Sequence, residues 1–125
     1  MVTITNKGLE AYARMISGVS APSAFTYMST GTGSGEESTS DTALEAANTS
    51  NGLQRQAATC TFASPGTSQW NKLFTATGAG TIREVGIHNA SSGGDMLLRH
   101  LLSENKSYAS GDSVEITITV TIGRS

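Results

Sequence analysis

Two histidines, one cysteine and a few carboxylates are the residues on which any chemistry of this chain would rest. His88 and His100 lie 12 residues apart. A zinc site needs three or four ligands, usually tightly spaced, and no Cys pair accompanies these two. Both are read as surface or partly satisfied histidines. Cys60 is the single cysteine, so a disulfide within the chain is impossible. Nothing around it suggests a strained elbow or a helix N-terminus that would activate a thiolate. Its place on one face with Ala58 and Phe62 points to a buried structural thiol. Gly31-Thr32-Gly33-Ser34-Gly35 has the composition of a phosphate loop, but no Gly-Lys-Ser/Thr follows and the run ends in Glu36-Glu37, which would repel a phosphate. Glu36, Glu37, Asp112 and Glu115 carry no mark of a glycosidase pair, and Asp95 and Asp112 lack the alternating oxygen ligands of a calcium loop. No catalytic residue, metal ligand or cofactor-binding residue is therefore assigned. Trp70, the only tryptophan, is read as a core or interface anchor; on a loop it would be able to stack on a sugar. Asn48, Asn89 and Asn105 each open an Asn-x-Ser/Thr triplet, as chance provides in a Ser/Thr-rich chain.

The elements that would position these residues are mostly strands. Near the start, Leu9, Tyr12, Ala13 and Ile16 fall on an i, i+3, i+4, i+7 stripe, with Asn6 or Thr5 as N-cap and Gly18 as the stop. The helix is about three turns long and marginal alone, so its stripe is expected to dock. Phe25–Met28 reads as a short strand, and the Gly/Ser-rich stretch of about residues 30–41 as a flexible loop. Thr42–Glu45 fits a capping box and predicts one or two helical turns. From Leu53 the period becomes two. Strands are expected over Leu53–Phe62, Lys72–Thr77, Thr81–Asn89, Asp95–Leu102 and Ser113–Ile122, separated by Pro65-Gly66, Gly78-Ala79-Gly80, Ser91–Gly94 and Ser110–Asp112. The third of these would set Arg83, Val85 and Ile87 against Ile82, Glu84, Gly86 and His88. Gly86 suggests a bulge or a close backbone approach, and Glu84 and Arg99 could pair across adjacent strands. The last strand alternates cleanly, Val114, Ile116, Ile118, Val120 and Ile122 against Glu115, Thr117, Thr119 and Thr121. The expected fold is mainly β, a small antiparallel β-sandwich or jelly-roll-like domain with one short N-terminal helix, in a single domain over residues 1–125.

Composition supports that class. The chain has 125 residues with 17 Thr, 17 Ser and 14 Gly, and only 14% are charged. This balance fits a Thr-covered sheet and many turns rather than a coiled coil. A net charge of −2 offers nothing to a phosphate backbone, so no nucleic-acid partner is expected. No apolar run reaches the ~20 residues of a membrane span, and the first five residues do not suggest a signal peptide.

Several stretches resemble small virion structural proteins of tailed phages. They are Thr81–Ala90 (TIREVGIHNA), Ser92–Arg99 (SGGDMLLR), the Gly-Asp-Ser turn at 111–113 and the closing alternating strand. The first half is similar too, in TNKGLE, YMSTGTG and SDTALEAA before Arg55, where Ala47 replaces a second acid. The resemblance spans nearly the whole chain and brings no catalytic residues. It implies a non-enzymatic virion protein, first of all a capsid decoration (cement) protein that binds and stabilises the major capsid shell. The alternative it implies is a tail-fibre or baseplate module binding host carbohydrate through Trp70, Tyr27 or Tyr108. Expected partners are the major capsid protein or other virion proteins, and further copies in a homo-dimer or homo-trimer. Trp70, Val2 and Ile4 of the N-terminal arm, and Thr117, Thr119 and Thr121 are the candidate interface residues. The lack of disulfides fits assembly in a bacterial cytoplasm.

Overall fold

The computed structural model describes residues 3–123, so Val2 lies outside the described residues. The described chain runs β1 (Thr3–Ile4), α1 (Asn6–Ser17), β2 (Tyr27–Gly31), β3 (Gln56–Ala57), β4 (Thr59–Ser64), β5 (Thr67–Thr75), β6 (Gly80–His88), β7 (Met96–Tyr108) and β8 (Ser113–Thr121). The strands form two antiparallel sheets, ordered β1-β7-β6-β2-β3 and β4-β5-β8. Met28, Ile82, Val85, Ile87 and Leu98 of the larger sheet pack with Trp70, Phe74 and Ile118 of the smaller one, which makes the molecule a β-sandwich.

β8 is built as its alternation predicts. Val114, Ile116, Ile118 and Val120 join the core, and Thr117, Thr119 and Thr121 stay exposed. β6 is buried along nearly its whole length because its outer face is covered too. Its alternation is broken by a bulge between Ile82 and Glu84, where β7 moves from Lys106 to Leu101. Ile82 thereby joins Val85 and Ile87 in the core, and does not share a face with Glu84 as strict alternation would require.

Other boundaries move for local reasons. The expected Leu53–Phe62 strand divides at Ala58, whose N–H donates to Thr26 O. β3 on one side of that point belongs to the larger sheet and β4 on the other to the smaller. Pro65-Gly66 is the tight turn of the β4–β5 hairpin, with Gly66 at φ 80°, so β5 starts at Thr67 rather than Lys72. Phe25 precedes β2 and is buried by packing. The capping box at Thr42–Glu45 forms no helix.

The helix stops where expected, and of its two N-cap candidates the cap is Thr5, with Asn6 the first helical residue. Thr5 caps it by accepting the Gly8 N–H at 2.9 Å, and Gly18 closes it at φ 74°. Its docking face differs from expectation. The buried positions are Gly8 and Ala11. A Cβ at Gly8 would lie 2.4 Å from the Leu97 carbonyl oxygen, so the missing side chain is what lets α1 approach β7. Leu9 and Ile16, at 57% and 68% exposure, face solvent together with Tyr12, Met15 and Val19.

Candidate functional site

On the outer face of the larger sheet lies a buried ion pair. Arg99 Nε donates to Glu84 Oε1 at 2.8 Å, the cross-strand pairing the sequence suggests, and both side chains are buried. The carboxylate also accepts the N–H groups of Gly33, Glu45 and Ala46 at 2.8–2.9 Å. Arg99 donates to the carbonyls of Gly35 and Glu36 and to Asp41. The Gly-rich stretch therefore cradles an internal carboxylate where a phosphate loop would hold a nucleotide. A Cβ at Gly33 would fall 2.6 Å from Glu84 Oε2. Burial opposes ionisation of Glu84, but the donors from Ala46, Arg99, Glu45 and Gly33 outweigh it and hold its pKa below the usual carboxylate range. Glu37 behaves alike. Burial is outweighed by the Leu101 N–H, the Thr3 hydroxyl and the charge of His100, whose Nδ1 is 3.4 Å away.

His88 is buried beside Ser29, with Nε2 and Oγ 2.5 Å apart. Burial, and then the nearby Arg55 charge, lower its pKa to about 3, so the ring is neutral. Arg55 itself spans the β6–β7 turn, donating to the carbonyls of Ala90 and Gly93. Ser29 and His88 are each only 2% exposed, closed to a substrate. Gly86 is a close approach, as expected. A Cβ there would meet Leu44, His88 and Met96 at 3.0–3.1 Å. Among the described residues no group of three or more His, Cys, Asp or Glu is placed to hold a metal ion.

The exposed features are surfaces. Between α1 and the smaller sheet runs a chain of apolar grooves of about 320, 160 and 260 Å³. Met15, Phe25 and Phe62 line one end, and Leu9, Val120 and Ile122 the other. The outer face of the smaller sheet is a polar, mostly uncharged ladder. Thr59 lies opposite Asn71 and Asn71 opposite Thr117, while Thr61, Gln69 and Thr119 form the next row. Asn71 Nδ2 donates to Thr117 Oγ1 at 2.8 Å. A separate space, about 440 Å³, opens between the sheets beside β7 and β8, lined by Leu102, Tyr108, Val114 and Ile116.

The structure brings some candidate interface residues together and separates others. Trp70 sits inside β5, not on a loop. It is buried, donates Nε1–H to Phe25 O at 2.7 Å, and only its edge reaches the groove floor. Ile4 and Thr121 line the far groove. Thr117 and Thr119 are exposed on the opposite side of the sheet from Trp70, which faces the core with Ile118. Tyr108 lines the inter-sheet space and Tyr27 lies in β2, so neither joins Trp70 in an exposed sugar platform. Cys60 is exposed, correcting the buried thiol, because β4 is an edge strand and the groove its side chain lines is open to solvent. The exposed helical stripe is the feature sequence reasoning missed. Its signal was the small pair Gly8 and Ala11, three apart on the other side of the helix.

Fold and surfaces together define a β-sandwich whose accessible features are apolar grooves, a bare strand edge and a polar sheet face. Residues 2–122 match the family described as Podophage GP4 fiber I protein gp80, and the chain belongs to it. It is a structural protein of a tailed-phage virion. No curated protein matches it. No helix among the described residues is long and apolar enough to cross a membrane.

Proposed function

We propose that the chain is a non-enzymatic subunit of a phage fibre, held in the virion by protein–protein docking. The observation that carries this is the apolar stripe of α1. Leu9, Tyr12, Met15 and Ile16 stand in solvent on a domain whose core is already filled by two sheets. Contiguous exposed apolar surface of this kind serves as a contact surface in assembled proteins. The fibre description of the family favours the tail over the capsid shell as the place of docking. Trp70 is buried, and Tyr27 and Tyr108 are half-buried and stand apart from it, which supports connection within the particle over sugar recognition.

Co-sedimentation tests this reading. The purified chain is mixed separately with isolated tails and with tailless heads, both lacking it. Saturable binding to tails in a few copies is the expected result. Saturable binding to heads in many copies would overturn it and make the chain a capsid decoration protein that cements the shell.

A further inference from the structure

Among the described residues, the smaller sheet leaves β4 as a free edge. The larger sheet ends in the two-residue strands β1 and β3, which offer little to a passing strand. β4 is longer, and its regular line is broken only near its end, by the irregularity at Ala63. Its six residues, Thr59-Cys60-Thr61-Phe62-Ala63-Ser64, are all exposed and contain no charge and no proline. The other free edge of that sheet, β8, carries Glu115. Phe62, 76% exposed, and Cys60 share the face of β4 that lines the apolar groove with Met15, Phe25 and Trp70. The chain exposes 6840 Å². A typical folded monomer of this mass exposes about 6,300 Å². The excess of roughly 500 Å² is on the scale of the ~800 Å² that each partner gives to a standard interface.

We propose that two copies of this chain pair through their β4 edges. An antiparallel strand is complementary to its own copy about a two-fold axis, so one bare edge supplies both halves of the contact. Centred on Thr61, the pairing sets Phe62 opposite Cys60 of the partner subunit, and each Phe62 closes the groove mouth of the other copy. The two three-stranded sheets become one sheet of six. This goes beyond the fibre reading and does not depend on it.

The test uses the purified chain alone, so its failure leaves docking on tails untouched. Light scattering from micromolar to hundreds of micromolar should give twice the 12.9 kDa monomer mass. Thr61→Lys sets two like charges opposite each other at the axis. It should halve the mass with the circular dichroism spectrum unchanged, since Thr61 is exposed. In a Cys60→Ser background, Thr61→Cys should be joined into a covalent dimer by a short bismaleimide, and Thr119→Cys on β8 should not. A monomeric mass for the native chain at every concentration would overturn the proposal. So would an intact dimer in Thr61→Lys, or crosslinking through Thr119→Cys in preference to Thr61→Cys, which would mean β4-to-β8 or face-to-face contact.

Discussion

Glu84 and His88 lie four residues apart on one buried strand face, and each spends its polarity inside the molecule. Glu84 accepts from Arg99 and from three N–H groups of the segment between β2 and β3. Removing one partner of such a pair leaves an uncompensated buried charge, typically about 3–5 kcal/mol of destabilisation. His88 makes the opposite choice and stays neutral. Its pKa is 6.5 in the unfolded chain and about 3 in the fold. Between those values the unfolded state holds the extra proton, so stability falls as pH drops from about 6.5 toward 3. At one proton and about 1.4 kcal/mol per pH unit, the loss from pH 7 to pH 5 is about 2 kcal/mol. Urea unfolding at the two pH values checks this, with His88→Gln as reference. The variant should be less stable at pH 7 and should lose most of that pH dependence. An equal drop in both proteins would assign the acid sensitivity to the carboxylates instead.

The elements are joined by small residues at decisive points. Gly8 in the first turn of α1 is unfavourable by helix propensity, and alanine there would gain up to about 1 kcal/mol in a free helix. In this fold the added methyl meets the Leu97 backbone at 2.4 Å, and a backbone oxygen in a paired strand cannot swing aside. Gly8→Ala should therefore lower stability by about 1–3 kcal/mol, against the propensity scale. Thermal unfolding of Gly8→Ala beside Ala13→Gly, an exposed site expected to lose about 1 kcal/mol, separates the effects. A stabilised Gly8→Ala would show that helix and strand can part at little cost. The same contrast explains what could be read from sequence. β8 was legible because one face is dry and one wet. The ends of α1 were legible because Thr5 and Gly18 act locally. The docking face of α1 was not, since the stripe rule assumes that apolar residues turn toward their own core. The Thr42–Glu45 capping box failed because the Glu45 and Ala46 N–H groups are taken by Glu84, 39 and 38 residues away. The sheet change at Ala58 carries no breaker residue at all. Of the polar centre, the Glu84–Arg99 pairing was visible from strand adjacency, but the glycines that make room for it read only as a loop.

At the scale of the whole molecule, the question is why a domain with a filled core keeps a greasy helix outside. Turning the helix would bury Leu9 and Ile16 but force Gly8 and Ala11 away from β7, and the larger side chains do not fit where the Leu97 carbonyl lies. The arrangement is thus set by close contact inside and leaves the stripe for use in assembly. Leu9→Glu with Ile16→Glu tests that division of labour. Both side chains are mostly exposed, so unfolding free energy should move by no more than about 0.5 kcal/mol per site. Binding to isolated tails should nevertheless be lost, because a carboxylate carried into an apolar contact has no partner there. Thr119→Glu, which charges the polar face of the smaller sheet instead, should bind tails like the native chain. If the helix double variant still binds and Thr119→Glu does not, the docking surface is the Thr ladder. The exposed stripe would then require a different occupant.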